Sequence, residues 1–226
     1  MMIDLKGISH TYSTEYVNEV VLQDINLHIE KGKFCSIMGP SGSGKSTLLN
    51  IIGGLLNPTY GEVHIDGEDI SNYNTKQLAN LRINKIGFIF QNFNLIPFLT
   101  VKENILLQVR LAKKNEKDYL DTYAQLITKL GIKEKEDSYI YELSGGQQQR
   151  VAIARCLLIK PKIILADEPT GNLDSKNTQN FMRLLREMSK ENNMTVVIVT
   201  HDERICEYCD LSIYINDGAI NVVACN

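Results

Sequence analysis

The chain has 226 residues, of which 43% are hydrophobic and 23% charged, and its formal net charge is −3. These values are typical of a globular protein with a sizeable core, and they argue against a dedicated nucleic-acid-binding protein, whose surface is usually basic. No apolar run approaches the roughly 20 residues that a membrane-spanning helix needs, so we do not expect an integral membrane protein. The first ten residues, MMIDLKGISH, alternate polar and apolar side chains, and we expect no signal peptide.

The first third of the chain predicts β structure that leads into a strand, a glycine-rich loop and a helix. Leu27 and Ile29 alternate with polar residues, and GEVHIDGEDI (61–70) has the alternation of a strand followed by an Asp-Gly turn. FCSIM (34–38) is a short apolar strand that ends at a glycine, and STLLNIIGGLL (46–56) predicts a helix.

The loop between this strand and helix, GPSGSGKST (39–47), fits the phosphate-binding pattern G-x-x-x-x-G-K-[ST]. Its glycines allow the backbone to approach a ligand closely, and the helix that follows favours an anion at its N-terminus. Lys45 supplies a positive charge for the β- and γ-phosphates, and the Ser46 hydroxyl is suited to Mg²⁺. The predicted phosphate-binding residues are Gly39, Ser41, Gly42, Ser43, Gly44, Lys45, Ser46 and Thr47.

The middle of the chain predicts a helical insert. IGFIF (86–90) is a buried strand that ends at Gln91, whose amide is placed to reach a Mg²⁺ ion or a water and to link the ligand to the insert. PFLT (97–100) breaks the chain, VKENILLQVRLAKK (101–114) has helical spacing, and a further helical face is closed by Gly131. We expect a helical subdomain over 98–142, inserted into a core of 1–97 and 143–226.

The last third alternates helices with apolar strands. VAIARCLLI (151–159) predicts a helix, IILAD (163–167) and TVVIVT (195–200) predict buried strands, and IYINDGAINVV (213–223) predicts a hairpin. Buried strands separated by helices indicate an α/β fold with a mostly parallel sheet flanked by helices.

Polar side chains follow two of these strands. Asp167 and Glu168 come directly after IILAD, and His201 follows TVVIVT. Ligands of open α/β sheets bind at the carboxyl edge of the strands, where Asp167 is suited to hold Mg²⁺ and Glu168 to orient or deprotonate a water. The alternatives are surface charge for the carboxylates and a structural role for the histidine, but the phosphate loop favours a shared site.

The stretch LSGGQQQR (143–150) predicts a second helix N-terminus with room for an anion, begun by Ser144, Gly145 and Gly146. The alternative is an ordinary helix cap with a flexible entry. Because Lys45 and its loop already hold one set of phosphates, this helix N-terminus is better used from a second subunit, closing over a neighbour's ligand.

In their order, GPSGSGKST, Gln91, LSGGQ, ILADE and His201 resemble the ATP-binding subunits of ABC transporters. The resemblance covers essentially the whole chain. It implies a P-loop NTPase core with an antiparallel β subdomain and a helical subdomain, bound ATP and Mg²⁺, and a head-to-tail homodimer whose ATP lies between one phosphate loop and the partner's Ser144–Gln147. It also implies that Asn172, Leu173 and Asp174 cross the dimer interface and that Tyr12 stacks on adenine, for which a plain strand-end tyrosine is the alternative.

IMGPSGSGKSTLLNIIGGL, IGFIFQNFNLIPFLTVKENI and DEPTGNLDS are similar to a subgroup that serves macrolide export, lipoprotein release and antimicrobial-peptide resistance. The resemblance implies an ATPase motor on the cytoplasmic face of the membrane, with a transmembrane permease as partner and no nucleic acid. Apolar residues 93–99 are expected to form its docking groove, unless they pack into the insert. Alternatives are an ATPase that steers a non-transporting membrane complex and a soluble ATPase acting on ribosomes or DNA.

Five cysteines, an odd number at irregular spacing, indicate reduced thiols and an intracellular setting. Cys206 and Cys209 form a CxxC, which admits a zinc or redox role. No second CxxC accompanies them, so two thiols on a short helix is the simpler interpretation.

Overall fold

The computed structural model describes residues 1–13, 17–171 and 173–224. Its strands are β1 (Ile3–Ser13), β2 (Asn18–Ile29), β3 (Phe34–Met38), β4 (Tyr60–Ile65), β5 (Glu68–Asp69), β6 (Ile86–Phe90), β7 (Ile163–Asp167), β8 (Thr195–Val199), β9 (Leu211–Asn216) and β10 (Ala219–Ala224). Its α-helices are α1 (Lys45–Ile52), α2 (Thr75–Lys85), α3 (Val101–Leu111), α4 (Leu120–Lys129), α5 (Gly145–Leu157) and α6 (Ser175–Glu191).

The larger sheet has six strands in the order β10-β9-β3-β8-β7-β6. The pairs from β9 to β6 are parallel, and β10 returns antiparallel to β9 through a turn at Asp217-Gly218. Successive residues of one strand are buried on opposite faces of this sheet. In β7, Ile164 belongs to one hydrophobic cluster and Leu165 to the other. Burial on both faces explains why these strands are continuous apolar runs rather than alternating ones.

The smaller sheet, in the order β2-β1-β4-β5, is antiparallel throughout. Ile8 and Leu22 on its inner face share a hydrophobic cluster with Leu48 of α1. Gln23 on β2 donates its backbone N–H to the carbonyl of Gly218 at 2.9 Å, so the small sheet is tied to the β9–β10 hairpin. β2 also contacts α1 directly, which places the small sheet beside that helix.

The predicted insert is helical, but its hydrophobic core is continuous with that of the sheet. Thr100 begins α3 with a reciprocal cap, in which Glu103 N–H donates to Thr100 Oγ1 and Thr100 N–H donates to Glu103 Oε2. Val109 of α3 lies in one buried cluster with Val151 of α5 and Met182 of α6. The insert is therefore anchored to α5, which leads from the LSGGQ stretch into the core.

Several helix boundaries differ from the predicted ones for local reasons. α1 ends at Ile52 because Gly54 takes a φ of +61°, and α3 ends at Leu111 ahead of Lys113 at +53°. Helix α2 was not predicted, because Leu81 is its one buried residue and little apolar periodicity results. A reciprocal cap between Asn74 and Gln77 begins that helix.

Among the described residues, the cysteines form no disulfide bond. Burial raises the pKa of Cys35 and Cys156 to about 12, which makes them unreactive. Cys206 lies in a 3-10 helix at Glu203–Tyr208 and Cys209 follows it, as the short-helix interpretation predicts. Cys225 lies outside the described residues. Within the described chain, no helix combines the length and the apolar character needed to cross a membrane.

Candidate functional site

The phosphate-type loop connects β3 to α1 and is shaped by its glycines. Gly39 has a φ of +146°, and a Cβ atom there would lie 2.0 Å from the carbonyl oxygen of Ile215. Gly44, at a φ of +98°, begins α1, and no side chain caps this helix. A helix start without a side-chain cap leaves backbone N–H groups available, and anions bind favourably at such an end.

Two side chains of the loop, Lys45 and Ser43, make fewer hydrogen bonds within the described chain than their polar atoms can form. Lys45 is 8% exposed, and its Nζ donates to the carbonyls of Gly39 at 3.0 Å and Pro40 at 2.6 Å, two of the three bonds an ammonium can make. Ser43 Oγ is buried and has no hydrogen-bond partner among the described residues. A buried polar atom normally has a partner, so both atoms fit a loop made to hold a polar, anionic ligand.

Asp167 and Ser46 bring two hard oxygen donors together. Ser46 Oγ donates to Asp167 Oδ1 at 3.0 Å across the gap between α1 and the end of β7. Burial, reinforced by the charge of Glu168, raises the pKa of Asp167, against the opposing hydrogen bond from Ser46 and the charge of Lys45. A desolvated carboxylate beside a hydroxyl is the kind of donor set that Mg²⁺ prefers, so these residues fit the predicted ion.

Glu168 is held in an unusual backbone conformation, with a φ of +45°. Non-glycine residues rarely occupy this left-handed region, and such residues often mark functional sites. Its carboxylate accepts from Thr200 Oγ1 at 3.4 Å and lies 2.9 Å from His201 Nδ1. The side chain of Glu168 is 19% exposed and that of His201 is 73% exposed, so the carboxylate is largely covered and the imidazole ring faces solvent.

The loop, the start of α1, Glu168 and His201 line one cleft of about 300 Å³, and Asp167 lies behind Ser46 rather than in the lining. The cleft is bordered by Val21, Ser41, Gly42, Gly44, Lys45, Ser46, Thr47, Glu168 and His201. Its volume is at the lower end for small-molecule sites. One chain therefore provides a shallow cradle rather than an enclosed pocket.

Gln91 and Tyr12 lie next to this cleft rather than in its lining. Gln91 follows β6, whose Phe90 pairs with Asp167, and a Cβ added to Gly171 would lie 3.0 Å from Gln91 Nε2. The Gln91 amide thus reaches the turn after Glu168. Tyr12 is 44% exposed, and its hydroxyl lies 3.4 Å from Thr47 Oγ1 on α1, which leaves the ring available at the edge of the loop.

The LSGGQ stretch is a capped helix start and lies outside the first cleft. Ser144 accepts from the backbone of Gln147 at 3.4 Å, and Gln147 Oε1 accepts from the backbone of Ser144 at 2.9 Å. Gly146 borders a separate cleft of about 270 Å³ with residues of α4, α5 and α6. A Cβ atom at Gly145 or Gly146 would meet nothing within 4 Å, so the glycines are not required by packing within this chain.

Asp174 also caps a helix in this chain. Its carboxylate accepts from the backbone and the side-chain amide of Asn177, both at 2.8 Å, at the start of α6. Asn172, the first residue of the predicted interface loop, lies outside the described residues. The predicted role of Asp174 at an interface remains a prediction.

An exposed aromatic surface lies where the chain leaves β6 and where it approaches α5. Phe98 is 86% exposed and Tyr141 is 72% exposed, while Tyr139 stacks on Tyr141 with ring centroids 5.6 Å apart. A β-bridge between Thr100 and Tyr139 holds the two segments together. We name the set Ile96, Pro97, Phe98, Tyr139 and Tyr141 the aromatic surface. Of the stretch 93–99, Phe93 is buried and Leu95 packs on the core, as the alternative interpretation expected.

Two buried side chains that support the site were missed from the sequence. Thr200 ends the predicted strand TVVIVT and looked like a last β-branched residue, yet its hydroxyl reaches Glu168. Gln149 looked like one more polar residue of a polar run, yet its Nε2 donates to the carbonyl of Pro169 at 3.1 Å. The one available signal for Gln149 was its spacing, since it lies four residues before the apolar Ile153 on the same face of α5.

A family sequence model, curated relatives and solved structures all resemble this chain and agree with one another. The sequence model of a family described as ABC transporter matches residues 22–171. An uncharacterized ABC transporter ATP-binding protein of Methanocaldococcus jannaschii, MJ0796, is 45% identical over 97% of this chain and 95% of that protein. The bacitracin export ATP-binding protein of Halalkalibacterium halodurans is 42% identical over 97% of this chain and 87% of that protein.

A macrolide export ATP-binding/permease protein of Syntrophobacter fumaroxidans is 41% identical over 97% of this chain, which spans 31% of that longer protein. Among solved structures, two dimeric forms of the MJ0796 cassette each match with a TM-score of 0.90 and 42% identity, covering 99% of this chain and 98% of theirs. One of the two is described as a post-hydrolysis state bound to ADP and Pi.

Proposed function

Because the chain belongs to the ABC transporter family, we propose that it is the ATP-hydrolysing motor subunit of a membrane transporter and that it drives a permease partner. The observation that carries the proposal is one cleft that gathers Lys45 and Ser46, Glu168, and His201 from three separate parts of the chain. A phosphate cradle facing a carboxylate–histidine pair is suited to the attack of water on a phosphoryl group.

The residues of the cleft, and the two beside it, each have a proposed role. The loop from Gly39 to Thr47 cradles the phosphates of ATP, and Lys45 neutralises their charge. Glu168 orients and deprotonates the attacking water, and His201 hydrogen-bonds the terminal phosphate beside it. Tyr12 stacks on the adenine, as its half-exposed ring beside Thr47 permits. Gln91 links the nucleotide to the helical insert.

Ser46 and Asp167 hold Mg²⁺ in this proposal, with Gln91 as a further ligand. When bound, the ion neutralises charge on the phosphate oxygens. The 3.0 Å contact between Ser46 Oγ and Asp167 Oδ1 supports this assignment, since the two oxygens converge on one point beside the loop.

The active form is a head-to-tail homodimer. In one chain, Ser144–Gln147 lie outside the phosphate cleft, whose small volume leaves a ligand partly uncovered. A partner copy supplies Ser144, Gly145, Gly146 and Gln147, whose helix N-terminus faces the exposed phosphates, and Asp174 lies at the same interface. The solved structures of MJ0796 are described as dimeric, which supports a dimer as the active form.

The basic test measures phosphate release by the purified chain with ATP. We expect hydrolysis that stops when a chelator removes divalent ions and resumes on addition of Mg²⁺. Ser46→Ala removes one proposed ligand, so we expect it to raise the Mg²⁺ concentration that gives half-maximal activity, by about 10-fold or more. Unchanged hydrolysis in the presence of chelator would contradict the role of the ion.

The aromatic surface is the proposed docking site for the permease. Its residues are exposed although they are large and apolar, and an exposed apolar patch commonly marks an interaction site. The surface adjoins the segment that follows Gln91, so movement at the nucleotide is transmitted to the permease through this segment. In this proposal the chain is a peripheral subunit on the cytoplasmic face of the membrane.

Replacing Phe98 by serine tests this docking site. We expect ATPase activity of the isolated chain within about twofold of wild type, and a loss of permease binding of about 10- to 100-fold, as for truncation of a central interface aromatic. Leu111→Ser is the matched control, since Leu111 is 61% exposed but lies outside the aromatic surface. Equal loss of binding in both variants would contradict the assignment.

The proposed direction of transport is export, with resistance as its role, and the bacitracin export and macrolide export relatives support this. A second candidate is an ATPase that drives conformational change in a membrane complex without moving a substrate, because the site serves both equally. Reconstitution with the native permease, followed by transport and protection assays, separates the two.

A further inference from the structure

Helix α5 connects the LSGGQ stretch to the turns that carry two proposed site residues. It begins at Gly145 and continues into the core, where α3 and the sheet pack against it. Two of its buried side chains are polar, Gln149 and Arg155, which are 4% and 9% exposed. Each donates hydrogen bonds to backbone carbonyls outside the helix rather than to another side chain.

Gln149 holds the turn that follows Glu168. Its Nε2 donates to the carbonyl of Pro169 at 3.1 Å, and within the described chain this is the hydrogen bond that the Pro169 carbonyl receives. Both Gln149 and Pro169 are buried, so water does not replace the bond easily. A buried carbonyl left without a donor is unfavourable, and the turn therefore depends on the amide of Gln149.

The turn from Glu168 to Gly171 contains an energetically unfavourable backbone conformation, which other contacts must stabilise. Glu168 has a φ of +45°, a conformation that costs energy for a residue with a side chain. The backbone N–H of Glu168 donates a hydrogen bond to the carbonyl of Val199. The N–H of Gly171 donates to the carbonyl of Glu168 and so closes the turn. The amide of Gln149 fixes the residue between these points, so a shift of Pro169 would move the Glu168 carboxylate away from His201.

Arg155 plays the corresponding part at the segment after Gln91. Its guanidinium donates to the carbonyls of Phe93 and Asn94, both at 2.6 Å. Those two residues have φ values of +59° and +45°. Arg155 therefore keeps α5 in a fixed position against this strained segment, and α5 cannot shift without disturbing both turns.

We propose that Gln149 is a positioning residue for Glu168, through which the helix that closes a partner's ATP site also sets the geometry of the hydrolytic carboxylate in its own subunit. The inference rests on the proposed ATPase function. It assigns Gln149 no contact with ATP. Its effect is on the rate of hydrolysis and not on nucleotide affinity.

The first test is Gln149→Met, which keeps the length of the side chain and removes the donor. We expect kcat for ATP hydrolysis to fall about 10- to 100-fold, as small displacements of a catalytic group do, with KM for ATP within about twofold of wild type. Rates are expressed per nucleotide-binding chain, measured by titration with a fluorescent ATP analogue, so that misfolded protein does not count.

The second test is Gln149→Glu, followed as a function of pH. Protonated, the introduced carboxyl donates to the Pro169 carbonyl as the amide does, whereas the carboxylate offers acceptors alone. Burial raises the pKa of such a group. We therefore expect kcat relative to wild type to recover as the pH falls, while the deficit of Gln149→Met stays constant because methionine does not titrate.

The outcomes separate the two levels of inference. Wild-type kcat in Gln149→Met, or a Gln149→Glu deficit that does not change with pH, would overturn the positioning role and leave the ATPase function standing. Absence of ATP hydrolysis by the wild-type chain would overturn the proposed function, and the role of Gln149 with it.

Discussion

Replacing Glu168 by glutamine is expected to slow ATP hydrolysis by about two to four orders of magnitude, the contribution typical of a general base. Glutamine has the same size as glutamate and keeps an oxygen near His201, 2.9 Å from the carboxylate in this structure. It no longer accepts a proton from water. ATP binding by the phosphate loop is left intact, so we expect the variant to accumulate as an ATP-bound dimer.

Phosphate release and size-exclusion chromatography with ATP measure the two effects. Glu203→Gln is the matched control, because Glu203 borders a neighbouring cleft that also includes Glu168 and His201. We expect this control to hydrolyse ATP within about twofold of wild type, since surface substitutions outside a site have small effects. A normal rate in Glu168→Gln would show that another group activates the water.

Replacing Gly145 by aspartate is expected to reduce ATP hydrolysis by about two to three orders of magnitude while the single chain still binds ATP. The structure strengthens this expectation, because a Cβ at Gly145 meets nothing within 4 Å and an acidic residue is well placed in the first turn of α5. The variant therefore folds normally. In the proposed dimer, however, the new carboxylate faces the partner's phosphates, and like charges repel.

ATP affinity is measured under conditions that keep the chain monomeric, and hydrolysis is measured separately. We expect affinity within about twofold of wild type and a hydrolysis rate reduced about 100- to 1,000-fold, comparable to the loss of an electrostatic stabiliser of the transition state. Gly145→Ala adds a methyl group without charge and should lose less activity. Loss of ATP binding by the monomer would instead place the glycine pair in the pocket of its own subunit.

Much of the fold could be predicted because the buried strands are short, apolar and separated by helices. IGFIF, IILAD and TVVIVT each form a strand at the predicted residues, within one at the C-terminal end of the last. Helix ends were less predictable, since the stop of α3 depends on the backbone at Lys113, a residue with no turn preference of its own. α2 was missed because it packs through little apolar surface.

The residues of the candidate site were likewise predictable in part. Lys45, Ser46, Asp167, Glu168 and His201 were predicted together, because parallel strands end at one edge and a phosphate loop has a recognisable pattern. The supporting contacts were not predictable. Thr200 and Gln149 are ordinary residues of a strand and a helix, and their hydrogen bonds to the segment of Glu168 and Pro169 join positions 32 and 20 residues apart.

The sequence by itself determined the chemical groups of this protein, since residue type and spacing specify a phosphate loop, a carboxylate pair and a second capped helix start. The tertiary structure decided which of them share a cleft. It placed Glu168 against His201 in a left-handed turn, left Ser144–Gln147 outside, and fastened α5 to the turn after Glu168. The physical reason is that spacing along the chain fixes local geometry, whereas contacts between distant segments depend on how the whole core packs.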